Sequence, residues 1–409
     1  MLNPEVIMRI PKTILWLAIF LLLPNLYAYS QKLPTAKPED MGFSQKHLDQ
    51  LNPLIEKAIA NKDFPGAVLL VARKGKVVLR RVYGDCQWIP DQRSMQGDMI
   101  FDLASITKPV ATASCVMKLV ENGQIRLLDK VKNFVPGFTV YEDSNGVKGQ
   151  DARLWHLLTH TSGLLPYTNA TKVEAKYGSP CPTDSLVSHI AGLRKINAPG
   201  EAFHYSCLGF ITLAHIVKQV SGKSVAEFAR DNFFKPLGMK DTFYTPSEKY
   251  FPRCVPTEVI DGQPLIGIVH DPLARLQGGV SGNAGLFSTV DDLAIFAQMM
   301  LNEGEYAGIR VLSPLTVQRM TSVFSDAGFS GRGLGWDLNS AYSSNGGDLF
   351  GPNSYGHSGY TGTSIWIDPD TETAVIFLTN RVHPSDGGAV IATRSKVANI
   401  VAGAIEQLE

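Results

Sequence analysis

The chain has 409 residues, in which 38 Lys and Arg balance 38 Asp and Glu, with 44% hydrophobic and 19% charged residues. That balance excludes a polybasic nucleic-acid binder and an acidic solvating tail, and the length is enough to bury a sizeable core without disulfide staples. Five cysteines, Cys86, Cys115, Cys181, Cys207 and Cys254, lie far apart with no C-x-x-C pair, which argues against a zinc ribbon or a dense disulfide framework and leaves at least one thiol unpaired.

At the start, Arg9 and Lys12 precede the apolar run Ile14 to Leu23, then Pro24 and the small residues Ala28 and Ser30. This pattern predicts a secretory signal over residues 1–30, cut after Ser30, because Pro24 ends the run short of a bilayer-spanning length. The expected location is secreted or periplasmic, with no stable membrane span. Residues 31–43, with Pro34, Pro38 and Gly42, read as a linker, and residues 44–409 as a single catalytic domain. Helical spacing of Leu48, Leu51, Leu54, Ile55, Ala58 and Ile59 predicts a helix over Gln45 to Ala60. Two β-rich runs, Ala67 to Arg73 and Val77 to Tyr83, flank Lys74-Gly75-Lys76 and predict a hairpin. A second hairpin is predicted from Ser364 to Asp368 and Thr373 to Thr379 around Pro369-Asp370-Thr371-Glu372. The middle, roughly 110–300, is dominated by helical patterns such as Phe210 to Val220 and Asp291 to Leu301. A last helix is expected from about Ala389 to Gln407. The fold class expected is α/β (α+β): an antiparallel sheet assembled from both termini, flanked by helices, with an inserted helical lobe and a cleft between sheet and lobe.

Three segments carry candidate chemistry. In Ser105-Ile106-Thr107-Lys108 the serine and lysine share one face of a helix that continues to Asn122 and stops at Gly123. A serine hydroxyl needs a base to act as a nucleophile, and a lysine serves if burial and nearby positive charge lower its pKa. Backbone N–H groups at a helix start can also stabilise an oxyanion. In His204-Tyr205-Ser206-Cys207, just before an apolar helix, Tyr205 either points its hydroxyl into the cleft or packs, with Ser206 as the helix cap. In Tyr355-Gly356-His357-Ser358-Gly359-Tyr360-Thr361-Gly362, the glycines allow close backbone approach and His357 adds a titratable group. His156 and His160 have the spacing of a metal half-site, but the H-E-x-x-H glutamate is missing, and a structural role is preferred. No G-x-S-x-G, Walker loop or strand-led G-x-G-x-x-G is present. No metal or cofactor is expected.

Taken in order, Ser105-x-x-Lys108, Tyr205-x-Cys207 and His357-x-Gly359 resemble the motifs of the serine β-lactamase and penicillin-binding-protein superfamily. The stretches 157–164, 234–239 and 284–289 resemble its class C-like branch, and the resemblance covers about residues 40–405. It implies a β-lactamase/transpeptidase-like fold and acyl transfer through Ser105, with Lys108 managing the proton and Tyr205 as general base or acid. It further implies an oxyanion hole from the N–H groups of Ser105 and Tyr360, with His357 in place of the third-motif lysine. Cys207 stands where an Asn is usual, so an amide near the substrate is lost. His357 in place of lysine removes a permanent positive charge for a substrate carboxylate. The segments 268–271 and 278–286, with Thr379 to Pro384, are similar to a branch containing exo-acting N-acetylmuramyl-L-alanine amidases, although Asn283 stands where that branch has His. On this similarity His270 and Arg381 join Cys207, Gly359 and Tyr360 as candidate substrate-binding residues. The expected function is an exported serine hydrolase acting on an amide or ester of a small-molecule or muropeptide substrate. The alternatives are a broad-specificity carboxylesterase, a β-lactamase, or a penicillin-binding sensor without turnover. No nucleic-acid partner is expected.

Overall fold

The protein is seen in a computed structural model that describes residues 32–324, 331–338, 340, 342 and 345–408. The expected signal segment, residues 1–30, lies outside the described residues.

The strand Gly66–Arg73 is almost wholly apolar and buried at every position, the composition of a strand covered on both faces. Alternation sends Leu69 and Val71 to one face and Val68, Leu70 and Ala72 to the other. This strand is central in an antiparallel sheet whose order is Tyr355–Ser358, Ser364–Asp368, Thr373–Thr379, Gly66–Arg73, Lys76–Gln87 and Arg93–Ser94. Strands from the two chain ends therefore meet side by side, with Leu69 opposite Phe377. Both expected hairpins are present. The helices Leu51–Ala60 and Ile391–Gly403 cover one face together with Phe64, Trp366 and Phe377. The helical lobe covers the other, with the buried helix Val290–Leu301 lying directly against the sheet.

Four expectations are corrected. The first helix breaks into Gln45–Leu48 and Leu51–Ala60, because Pro53 has no N–H to donate and its ring would meet the carbonyl four residues back. The supposed linker is built into the body from residue 33 onward: Leu33 and Phe43 are buried, and Val77 N donates to Pro34 O. Buried Arg73 adds hydrogen bonds to Met41 O and Gln407 O, fastening that segment to the other end of the chain. The isolated apolar anchors outweigh the prolines that suggested a linker. The last helix is shorter than expected, Ile391–Gly403, so the stretch before it is free to line the cleft. Finally, the helical lobe contains strand pairing, since Phe101–Asp102, Leu286–Ser288 and Phe243–Tyr244 form a small sheet. That sheet delivers the chain to Ser105. Among the described residues no helix is long and apolar enough to cross a membrane.

Candidate active site

The site begins at a strained turn. Ala104 follows the strand Phe101–Asp102 with φ of 46°, in the left-handed region that non-glycine residues rarely adopt. The buried Asp102 carboxylate holds it there, accepting hydrogen bonds from Ala104 N (2.9 Å) and His270 N (2.7 Å). The chain then winds through a tight turn, Ala104–Ile106, and a wide turn, Lys108–Ala113, into the α-helix Ser114–Glu121. Pro109 has no N–H for the regular helical ladder, which accounts for the irregular turns at this point.

Lys108 is fully buried, and its Nζ donates to Ser105 Oγ at 2.8 Å and to Asn283 O at 3.0 Å. It lies 4.9 Å from the centre of the Tyr205 ring. Burial by itself would lower the Lys108 pKa, but the acidic groups of Cys207 and Tyr205 beside it hold it above its ordinary value. Lys108 is therefore an ammonium, and the lowered pKa that a lysine would need to serve as the base is not found. The acidic neighbours outweigh burial.

Tyr205 sits just ahead of the helix Cys207–Ser221, which Ser206 caps by accepting from Gly209 N. Ser206 thus caps the helix, while the Tyr205 ring faces the cleft between His160 (4.3 Å between ring centres) and His357 (6.1 Å). His160 Nδ1 accepts from Ser206 N at 3.0 Å, so its proton is on Nε2. His357, on the edge strand Tyr355–Ser358, bonds through Nδ1 to Ser358 O at 2.8 Å, leaving Nε2 as a buried acceptor with no partner. Burial, then the cations Arg332 and Lys108, push both histidines well below their ordinary range. Both are neutral.

The turn after His357 is fastened to the nucleophile's strand. Thr361 Oγ1 donates to Asp102 O (2.7 Å) and Thr363 Oγ1 to Leu103 O (3.0 Å). Gly359 must be glycine, because a Cβ there would collide with Leu103 O and Thr363 Oγ1.

These segments enclose a cleft of about 470 Å³ with Ser105, Tyr205, His357, Gly359, Tyr360 and Arg381 in its wall. Ser105, Lys108, Tyr205 and His357 are thus brought together. The other candidates divide. Arg381 borders the cleft but is tied to Asp386 Oδ1 (2.8 Å) and lies 4.4 Å over the Tyr360 ring. His270 stacks on Tyr360 with ring centres 5.8 Å apart and faces Glu258, one layer behind the wall. Cys207 sits beside Lys108 and Asn283, and burial raises its pKa, so it is a neutral thiol. It is one of five free cysteines.

Sequence reasoning missed Arg332, Asp337, Asn345 and Arg394, which also line the cleft. No short motif marks them. Arg332 pairs with Asp337 at 3.1 Å, both buried, whereas Arg394 bonds only to carbonyl oxygens among the described residues. Arg394 thus brings a positive charge to the cleft wall from a helix at the far end of the chain.

The histidines make stability depend on pH. Burial lowers His156 to about 4, and lowers His160, His357 and His383 as well. A histidine with a lowered folded pKa favours the folded state above the unfolded value near 6.5, and that advantage is lost as pH falls below it. His156 alone corresponds to about 3 kcal/mol. Buried Asp292, raised to about 6, acts in the opposite sense over this window, but with four histidines lowered the midpoint of thermal unfolding is expected to fall between pH 6.5 and 4, followed by circular dichroism across that range; a midpoint that rises through it would contradict the buried neutral state.

The family model for beta-lactamase matches residues 51–399. The chain belongs to the beta-lactamase family. An N-acetylmuramyl-L-alanine amidase of Bacillus subtilis (strain 168) is 33% identical over 377 residues, covering 84% of this chain and 83% of its own length. A Salmonella schwarzengrund protein named for D-alanyl-D-alanine carboxypeptidase activity is 32% identical over 400 residues, with 90% of each chain covered. Among solved structures, EstCE1, a hydrolase with promiscuous acyltransferase activity, superposes with a TM-score of 0.70 at 21% identity, covering 88% of this chain and 99% of its own. This beta-lactamase-family chain is accordingly a serine hydrolase with the β-lactamase/transpeptidase-like fold.

Proposed function

We propose that the protein is an exported hydrolase that forms an acyl-enzyme on Ser105 and cleaves an amide or ester of a muropeptide. The observation that carries this reading is the 2.8 Å hydrogen bond from Lys108 Nζ to Ser105 Oγ, with the Tyr205 ring alongside, at the wall of an open cleft. As an ammonium, Lys108 has no lone pair to act as base, so the reacting form has Tyr205 as its phenolate, which takes the Ser105 proton while Lys108 stabilises the negative charge that passes between them. Ser105 Oγ then attacks the carbonyl carbon, and the oxyanion is held by the N–H groups of Ser105 and Tyr360. Tyr205 returns the proton to the leaving nitrogen or oxygen as the bond breaks. Water, deprotonated by the same tyrosine, releases the acyl group and restores Ser105.

The muropeptide reading is supported by the amidase relative, which aligns along most of this chain. The neutral His357, offering an acceptor where a lysine would offer charge, supports a second reading as a carboxylesterase. Purified protein is expected to release L-alanine from N-acetylmuramyl-L-alanine with a kcat/KM above that for short p-nitrophenyl esters. Ester turnover with untouched muramyl-L-alanine would sink the amidase reading. Acylation by penicillin without any turnover would instead favour the sensor.

A further inference from the structure

Arg394 is an anomaly of the cleft: a buried cation that meets no carboxylate among the described residues. Its Nη2 donates to Gly359 O and to Thr363 O, each at 2.8 Å, and its Nε has no partner. Burial, with Arg381 nearby, pushes Arg394 down to about 9, which leaves it charged at neutral pH. Sequestering a cation in this way is unfavourable unless its hydrogen bonds hold something that matters. They hold two carbonyls of the turn, Thr363 O and Gly359 O, the second of which also accepts from Gly362 N at 3.1 Å. Gly359 O and Tyr360 N–H belong to the same planar amide, and this bond is not among the cis peptides of the chain. In a trans amide the C=O and N–H point in opposite directions. A guanidinium fixed on Gly359 O therefore aims the Tyr360 N–H the other way. A charged donor on the carbonyl also polarises the amide and strengthens its N–H as a donor.

We propose that Arg394 is a positioning residue for the oxyanion hole: through Gly359 O it orients and polarises the Gly359–Tyr360 peptide so that the Tyr360 N–H is presented to the reacting carbonyl. This rests on the acyl-enzyme reading above. The opposite donor has a matching device. Buried Asp102 accepts from Ala104 N, immediately before Ser105, and Thr361 and Thr363 tie the two segments together. Thus a buried carboxyl group anchors the backbone beside Ser105 and a buried guanidinium the backbone beside Tyr360, each through hydrogen bonds to main-chain groups.

The test separates positioning from two other roles, clamping the turn and binding a substrate carboxylate. Rates are measured on p-nitrophenyl acetate, which has no carboxylate, and on its thiono analogue, whose C=S gains little from an oxyanion hole. In Arg394→Lys and Arg394→Met, kcat on the oxygen ester is expected to fall about tenfold to a hundredfold with KM within about twofold, the methionine variant suffering more. The thiono ester is expected to slow much less, so the oxygen-to-sulfur rate ratio shrinks. Equal slowing of both esters would show a general structural role and overturn the proposal. An unchanged rate on both neutral esters would overturn it too, in favour of carboxylate binding. Should neither variant fold, the wild type answers by itself, because Gly359–Tyr360 is the single Gly–Tyr step in the sequence. Labelling glycine with carbonyl ¹³C and tyrosine with ¹⁵N marks that one peptide for nuclear magnetic resonance. The Tyr360 amide proton is expected to move downfield when a boronic acid forms its adduct on Ser105; an unmoved signal would overturn the proposal. Failure of the underlying reading looks different: no fluorophosphonate adduct on the wild type.

Discussion

Ser105→Ala is expected to lower kcat on a p-nitrophenyl ester by about ten-thousand-fold or more, the scale seen when a covalent nucleophile is removed from a site whose remaining parts are intact. The serine hydroxyl accepts from Lys108 Nζ and lies in the cleft wall, so the substitution removes the atom that would carry the acyl group while leaving the buried lysine in place. Intact-protein mass spectrometry should show one fluorophosphonate adduct on the wild type and none on the variant. Ser105 is only partly buried, and the change deletes a single oxygen, so the unfolding midpoint should stay within a few degrees. An adduct on the variant would point to Cys207, which sits beside Lys108. Burial keeps that thiol protonated, however, and a protonated thiol is a poor nucleophile. Full activity in the variant would defeat the acyl-enzyme mechanism outright.

The sheet and the nucleophile were legible for the same reason: each is written in short-range pattern. Turn residues between β-branched runs mark the hairpins Gly66–Gln87 and Ser364–Thr379, whose strands pair in the sheet. The spacing of Ser105 and Lys108 on one winding of chain likewise brings their polar atoms together. What escaped depends on long-range placement. Arg394 lies near the start of a helix whose polar and apolar residues show little periodicity, and only the close pass of that helix to Gly359 gives the side chain its task. Arg332 gains its meaning from burial beside Asp337. The state of Lys108 stayed open in the sequence, which does not show which groups surround the lysine; Cys207 and Tyr205 raise its pKa where burial would lower it. His270 and Arg381 were identified as polar groups near the site, but each already has protein partners, Tyr360 and Glu258 for one and Asp386 for the other.

Lys108→Met should separate catalysis from stability. On the reading that Lys108 steers charge between Ser105 and Tyr205, its loss is expected to lower kcat on the ester by about a thousandfold or more, near the upper range for removing a proton-transfer partner. Arginine should not rescue it, because a planar guanidinium is larger and cannot put one compact charge between Ser105 Oγ and Asn283 O. Stability should change much less. Lys108 is fully buried, but its neighbours hold its pKa above the ordinary value, so its surroundings offset the dehydration of the ammonium. Methionine has a similar length and fills the same space with no charge to dehydrate, so the midpoint of urea unfolding should stay close to that of the wild type. Loss of activity with retained stability would mark Lys108 as a group kept for chemistry. A variant that unfolds far more readily would instead mean that the lysine's bonds to Ser105 and Asn283 hold the wall together, and that Ser105 owes its position to Lys108 as much as its reactivity.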